Sequence, residues 1–211
     1  MKPSSSVIER FRAQVRGFGP LGIFVTIVIV LAGNLIGAAL ALVWTPFTRT
    51  RWGELGFVRP RSWIRTVVIG VGIGIALRFL MRALLPLLGV HRGSAYTYLV
   101  GNAAALPGMI FTVVVGAGFG EETVWRGFLF HRLGKLMGSE VWARVGILAL
   151  TSVGFGFAHL HDQGWGGVTQ STLTGLVFGA LFLRTGVIFL PMVAHAVFDL
   201  AAVALIYCGR Y

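Results

Sequence analysis

The chain has 211 residues, of which 56% are hydrophobic and 12% charged, and its mean hydropathy is +0.82. This composition is unusual for a water-soluble domain of this size and typical of an integral membrane protein. The formal net charge of +11 does not indicate a nucleic-acid partner, because most basic residues lie at the ends of apolar segments, where membrane anchoring explains them. The single cysteine, Cys208, can form neither an internal disulfide nor a multi-cysteine metal site.

The first 18 residues have the pattern of an amphipathic helix. Apolar residues recur against basic ones, namely Val7, Ile8, Phe11 and Val15 against Arg10, Arg12 and Arg16. This pattern predicts an interfacial segment over residues 1–18 that leads into the first span. A cleaved signal peptide is disfavoured, because the apolar run that follows is too long and no small-residue cleavage site precedes Trp44.

Apolar segments long enough to cross a membrane follow along the chain. A hydrocarbon core of about 30 Å requires roughly 20 helical residues. Segments of this kind lie at 20–44, 64–89, 99–118, 142–160, 167–184 and 187–208. They are too long and continuous for barrel strands, so we predict an all-α polytopic transmembrane helical bundle of about six to eight helices. No linker divides the chain, and residues 19–211 are predicted to form a single membrane domain.

Two features of this arrangement are less regular. The segment 120–137 has helical periodicity but carries several charges, which predicts a separate helix inside the bundle or partly at the interface. Basic residues on the two sides of the 20–44 span are equal in number, four before it and four in the connection 45–63. The positive-inside rule, counted this way, does not fix the orientation.

Polar residues interrupt the apolar sequence at four places. A charged side chain at mid-membrane costs about 3 kcal/mol, so such residues usually face the bundle interior and have a role. The four sets are Glu121, Glu122 and Arg126; Phe155 and His159 in FGFAH; His195 and Asp199 in HAVFD; and His161 with Asp162 in an expected loop.

The spacing within these sets distinguishes the two glutamates. Glu122 and Arg126 are four residues apart and suit an ion pair, whereas Glu121 points about 100° away and is left available. Taken singly, each set has a structural explanation, such as a core histidine or a helix-stabilising pair. Together, they favour a convergent polar site. That site could perform acid–base chemistry on water, bind a metal or relay protons, and the residue types alone leave these options open.

The motifs also carry a family resemblance. EETVWR, FGFAH and HAVFD match, in this order, the patterns EExxxR, FxxxH and HxxxN/D of the CPBP intramembrane proteases, the Abi or CAAX-protease family that includes Ras-converting-enzyme-like proteins. GELGFVRP at 53–60 and the GLVFGALFLRTGVIFLP run before His195 are similar to the family's usual sequences. The resemblance covers residues 52–205, with a motif core at 117–200.

What the resemblance implies is an intramembrane endopeptidase in which glutamate and histidine activate water. The catalytic residues carried over are Glu121, His159, His195 and Asp199, with Glu122, Arg126 and Phe155 in supporting roles. Asp199 stands where most relatives have Asn, so it could be a neutral hydrogen-bond partner, orient His195 or help to bind a metal. A neutral role is favoured, because an ionised carboxylate without a cation is costly in an apolar span.

Several alternatives stay open. A divalent metal such as zinc on Glu121, His159 and His195 would meet the usual count of three ligands, but the sequence lacks HExxH, and a cofactor-free mechanism ranks ahead. The chain could also be a non-catalytic family member acting in bacteriocin immunity or as a scaffold, or, less favoured, a small transporter. The expected partners are membrane lipid and a peptide or protein substrate, prenylated or membrane-embedded. The expected location is a bacterial-type plasma membrane.

Overall fold

A computed structural model of the chain describes residues 7–90 and 96–210. The predicted interfacial segment 1–18 is described only in part. Its helix covers Val7–Arg16, but residues 1–6 and the side chains at positions 7, 8, 10, 11 and 15 lie outside the described residues. The amphipathic character of this segment and the single domain over 19–211 therefore stay predictions.

The described residues form an all-α bundle, as predicted. Their eight helices are α1 (Val7–Arg16), α2 (Pro20–Ala32), α3 (Asn34–Phe47), α4 (Trp63–Leu87), α5 (Ala103–Met137), α6 (Val141–Ala158), α7 (Leu160–Thr185) and α8 (Phe189–Tyr207). Five of them, α4 to α8, are long and apolar enough to cross a membrane by length and composition. The chain is therefore an integral membrane protein, and four of the predicted spans correspond closely to α4, α6, α7 and α8.

The fifth spanning helix, α5, differs from the prediction of two segments, 99–118 and 120–137. It is one helix of 35 residues, and the motif glutamates lie near its middle. Its central part, Thr112–Glu121 and Thr123–Leu129, has the wide winding of a π-helix, which is rare and often found at functional sites. The helix continues past residue 119 because Glu122, Arg126 and Arg132 are buried in the bundle, and the exposed Lys135 lies only in the last turn.

The predicted span over 20–44 is wrong. The helix ends at Gly33, which has φ 56° and ψ −171°, and a second helix starts at Asn34. With 13 and 14 residues, α2 and α3 are each about 20 Å long, too short to cross a core of about 30 Å. Mean hydropathy could not show this, because the turn consists of only two residues within an apolar run.

Contacts at both ends show that α2 and α3 form a hairpin that enters and leaves on the same side. Arg132, near the end of α5, donates hydrogen bonds of 2.7 and 2.8 Å to the carbonyls of Arg16 and Gly17, which precede α2. Its guanidinium also lies 5.3 Å from the ring of Trp44, near the end of α3. At the turn, a Cβ added to Gly120 would lie 2.7 Å from the carbonyl carbon of Asn34. The turn is therefore at the depth of the motif glutamates.

The helix directions define two faces of the bundle. The basic face is formed by the connections 17–19, 48–62, 138–140 and 186–188, where the amide of Ile188 donates to the carbonyl of Gly56 at 2.9 Å. The opposite face is formed by 88–90, 96–102, 159 and 208–210, where the amide of Gly101 donates to Tyr207 at 3.1 Å. Helices α4, α6 and α8 run from the basic face, and α5 and α7 return to it.

Glycines bring α4 and α8 together beside the site. A Cβ added to Gly74 would lie 2.5 Å from the carbonyl oxygen of Ala194, so only glycine permits this approach. The same parallel packing places Arg78, one turn further along α4, against Phe198 of α8. Because α4 and α8 pack this closely, the charged residue Arg78 lies in the interior of the bundle.

Candidate active site

Glu122 connects two of the three motifs. It is fully buried on α5, and its Oε1 accepts a hydrogen bond of 2.8 Å from Arg126 Nη1, which is the ion pair that the spacing indicated. The same oxygen lies 2.7 Å from Nδ1 of His195 on α8. The sequence did not indicate this second contact. Since an ionised carboxylate only accepts, Nδ1 donates, and the other ring nitrogen, Nε2, is left for other partners.

Arg126 is enclosed by three helices. Its Nη2 donates to the carbonyl of Gly175 on α7 at 3.3 Å, and its guanidinium lies 4.5 Å from the ring of Phe155 on α6. Phe155 in turn makes edge contacts with His159 and His195, at 4.7 and 5.9 Å between ring centroids. Phe155 thus packs between the arginine and both histidines, which is a supporting position.

The Nε2 atom of His195 faces two carboxylates. It lies 3.4 Å from Asp199 Oδ2, one turn further along α8, and 4.0 Å from Glu121 Oε2 on α5. The second distance is beyond hydrogen-bond range, so Glu121 is near His195 without bonding to it. Glu121 Oε2 is buried and accepts no hydrogen bond from the described residues. The two adjacent glutamates therefore have different environments, as the spacing predicted.

Asp199 has a cationic neighbour that sequence reasoning missed. Arg78 on α4 is buried, and its Nη2 lies 3.7 Å from Asp199 Oδ1. Arg78 is held in place by a 3.0 Å hydrogen bond from Nε to the carbonyl of Phe198 and by the ring of Phe198, 3.9 Å from its guanidinium. The expectation that Asp199 lacks a cation is therefore wrong. The signal that could have indicated Arg78 was its position inside an apolar span, where a lone charge needs a partner.

His159 lies at the end of α6, where its backbone has φ −94° and ψ 0°. Its Nδ1 is 2.8 Å from the carbonyl oxygen of Phe155. Because a carbonyl can only accept, Nδ1 carries a proton, and in the neutral ring Nε2 is an acceptor. His161 and Asp162, predicted to lie in a loop, belong instead to the first turn of α7, which is kinked at Gly164 with φ 61°.

One cavity of about 880 Å³ contains all four predicted catalytic side chains in its wall. Their catalytic roles stay predictions, but residues from three motifs reach the same space. The wall also includes the hairpin turn and residues toward the opposite face, among them Val30, Gly33, Asn34, Tyr96, Asp162, Gln163 and Arg210. The volume is within the usual range of roughly 300–1,000 Å³ for ligand sites.

Tyr96 forms part of the cavity wall outside the spans. Its hydroxyl oxygen accepts a 3.4 Å hydrogen bond from Gln163 Nε2 at the start of α7. Partial burial raises the pKa of the Tyr96 phenol above its ordinary value, so it is neutral near pH 7. A neutral phenol can donate a hydrogen bond as well as accept one.

Within 7–90 and 96–210, no group of three or more His, Cys, Asp or Glu side chains is arranged to hold a metal ion. Glu121, His159 and His195 line the same cavity. Zinc dependence stays a prediction that treatment with a chelator tests.

The chain is a polytopic membrane protein whose helices enclose a cluster of Glu, His, Asp and Arg side chains at the end of a cavity. Residues 103–201, which include all three motifs, match the family model described as type II CAAX prenyl endopeptidase Rce1-like. This match supports the resemblance of the motif-bearing segment to the CPBP/CAAX protease family. Neither a curated protein nor a solved structure matches the chain significantly.

Proposed function

We propose that the protein is an intramembrane endopeptidase that hydrolyses a peptide bond in or near a bacterial-type plasma membrane. The observation that carries the proposal is the contact of 2.7 Å between Glu122 and His195, which leaves Nε2 of His195 4.0 Å from Glu121. Residues of two motifs are thereby joined around one point of the cavity. The match of residues 103–201 to a CAAX endopeptidase family model supports the same reaction.

The first chemical step is the activation of water. A peptide carbonyl is a poor electrophile, so the attacking water must lose a proton as it attacks. Glu121, whose buried Oε2 accepts no hydrogen bond from the described residues, takes this proton, while the acceptor Nε2 of His159 helps to orient the water. The water oxygen bonds to the carbonyl carbon, and the carbonyl electrons move to its oxygen.

The second step is collapse of the tetrahedral intermediate. His195 carries a proton on both ring nitrogens between the carboxylates of Glu122 and Asp199, and its Nε2–H donates a hydrogen bond to the oxyanion without losing that proton. The carbon–nitrogen bond breaks, and the amine leaves with the proton that Glu121 took from water. The products are a carboxylic acid and an amine, and no redox partner is needed.

Two ion pairs hold His195 for this role. The Glu122–Arg126 pair fixes Nδ1, and Asp199, with Arg78 nearby, lies beside Nε2. Because Arg78 supplies the cation that an ionised carboxylate needs in an apolar span, we now favour an anionic Asp199 that orients His195. The usual asparagine would not require such a cation.

The proposal is tested with the purified protein in lipid nanodiscs. The substrates are an internally quenched peptide ending in a farnesylated CAAX sequence and the same peptide without the farnesyl group. Glu121→Gln should lower the cleavage rate by about 100-fold or more, as loss of a general base does. The control is Glu140→Gln, the same change at an exposed glutamate on the basic face.

Full turnover by Glu121→Gln would contradict the assignment. A chelator added to the wild type tests the metal alternative in the same assay. Loss of cleavage that zinc restores would favour the version in which a metal ion activates the water.

A further inference from the structure

The basic residues are distributed unequally between the two faces. Among described residues, eleven lie at the basic face: Arg12, Arg16, Arg49, Arg51, Arg59, Arg61, Arg65, Arg132, Lys135, Arg144 and Arg184. Two, Arg82 and Arg210, lie toward the opposite face, where Arg82 donates to the carbonyl of Arg210. The remaining two, Arg78 and Arg126, belong to the site.

The sequence alone indicated equal numbers of basic residues on the two sides of the predicted 20–44 span. The α2–α3 hairpin explains why the folded chain has most of its described basic residues on one face. If 20–44 crossed the membrane, the arginines before it and those in 45–63 would lie on different sides. Because α2 and α3 return to the same face, both groups add together, as the 2.7 Å ion pair between Glu9 and Arg49 also shows. Lys and Arg in short connections are retained on the cytoplasmic side.

The cavity extends in the other direction. From Glu121 its wall follows α5 back to Met109 and α8 forward to Ile206. It then includes Tyr96 and Arg210, both at the opposite face. The cavity therefore extends from the motif residues toward the opposite face.

We propose that the basic face is cytoplasmic and that the cavity opens to the outside of the membrane. The substrate is then a peptide segment presented extracytoplasmically, such as the region of a membrane or exported protein next to its membrane anchor. A prenylated tail on the cytoplasmic surface would lie on the wrong side. The substrate part of this inference rests on the proposed function, whereas the orientation does not.

Cys208 provides a native reporter for the orientation. It is exposed and follows α8 at the opposite face. The protein is expressed in a bacterial inner membrane, and spheroplasts are treated with a membrane-impermeant maleimide before or after permeabilisation. We expect Cys208 to be labelled equally in both, and Cys208→Ser to remove the labelling.

The matched control reports the basic face. Val58 is exposed in the connection 48–62, and Val58→Cys in a Cys208→Ser background leaves every basic residue in place. This cysteine should be labelled only after permeabilisation. The reverse pattern, with Cys208 protected and position 58 labelled in sealed spheroplasts, would overturn the orientation.

A cleavage assay tests the side of substrate entry. The non-prenylated quenched peptide, which does not cross membranes, is added to sealed spheroplasts and to inside-out vesicles. We expect cleavage by spheroplasts, no cleavage by vesicles until they are permeabilised, and none by Glu121→Gln in either. Cleavage by sealed inside-out vesicles alone would overturn the inference. If the detergent-solubilised wild type also fails to cleave either peptide, the proposed function fails, while the labelling result still decides the orientation.

Discussion

Glu121 and Glu122 are neighbours in the sequence but have different partners in the bundle. Glu122 is shared between Arg126 and His195, and Glu121 Oε2 has no hydrogen bond among the described residues. A buried carboxylate needs its cation, because the cost of removing it from water is large. The carboxylate of Glu122 is therefore shared between its cation and the motif histidine.

Arg126→Ala is expected to lower the free energy of unfolding by about 3–5 kcal/mol, since it leaves Glu122 buried without its cation. The measurement is denaturant unfolding in detergent micelles, followed by tryptophan fluorescence. Arg144→Ala, at an exposed position on the basic face, should change stability by about 0.5 kcal/mol or less. Equal stabilities of the two variants would show that the pair does not stabilise the fold.

Arg78 and Asp199 are expected to act as a pair. Asp199→Asn alone leaves a buried arginine without this neighbour, and Arg78→Gln alone leaves a partly buried carboxylate without this cation, so each should lower kcat/KM about tenfold or more. The double variant removes both charges together. Its loss of kcat/KM should therefore be smaller than the product of the two single-variant losses.

The control for this cycle is Arg65→Gln, an exposed residue at the start of α4, whose rate should match the wild type. Multiplicative effects in the double variant would mean that Arg78 does not act through Asp199. Wild-type activity of Asp199→Asn with Arg78 present would return Asp199 to the neutral role that the sequence favoured.

At the scale of elements, the site depends on the close approach of the α2–α3 turn to α5. Gly33 and Asn34 both have positive φ, at 56° and 29°, and the turn forms part of the cavity wall. Non-helical backbone at membrane depth is tolerated where it is buried in protein or faces a cavity. A Gly-Asn pair is also a turn signal that the long apolar run concealed.

Gly120→Ala should separate this turn from α5. The added Cβ would lie 2.7 Å from the backbone of Asn34, so the hairpin must shift, with a cost of about 1–3 kcal/mol and a lower cleavage rate. Gly134→Ala, on the same helix with nothing within 4 Å, should be neutral or stabilising. Both are measured by thermal unfolding and by peptide cleavage, and equal effects would exclude a specific contact at Gly120.

At the scale of the whole molecule, five crossing helices and a hairpin place most basic residues on one face. Replacing Arg49, Arg51, Arg59 and Arg61 together by Gln should weaken the orientation signal. We expect labelling of Cys208 in sealed spheroplasts to become partial, because some molecules insert the other way. Unchanged labelling would show that the remaining basic residues are sufficient or that charge does not set the orientation.

Local features of the amino-acid sequence were enough to predict an all-α membrane protein, four of its spans and the motif residues. Hydropathy is a local sum, and a helix of about 20 apolar residues satisfies its own backbone in lipid, so composition within a window is enough to predict it. The spacing of four residues likewise predicted the Glu122–Arg126 pair, because neighbours on one helix need no tertiary information.

The remaining features of the site could not be predicted, because they are contacts between helices that are distant in the sequence. The Glu122–His195 contact joins residues 73 apart, and Arg78 contacts Phe198 across 120 residues. Such contacts depend on which helices pack together, and no local pattern records that. The reversal at Gly33 changes two residues of backbone without changing mean hydropathy, yet it moves the connection after α3 to the other side of the membrane. The position of the cavity relative to the basic residues therefore depends on the fold, and the charge count along the sequence alone could not give it.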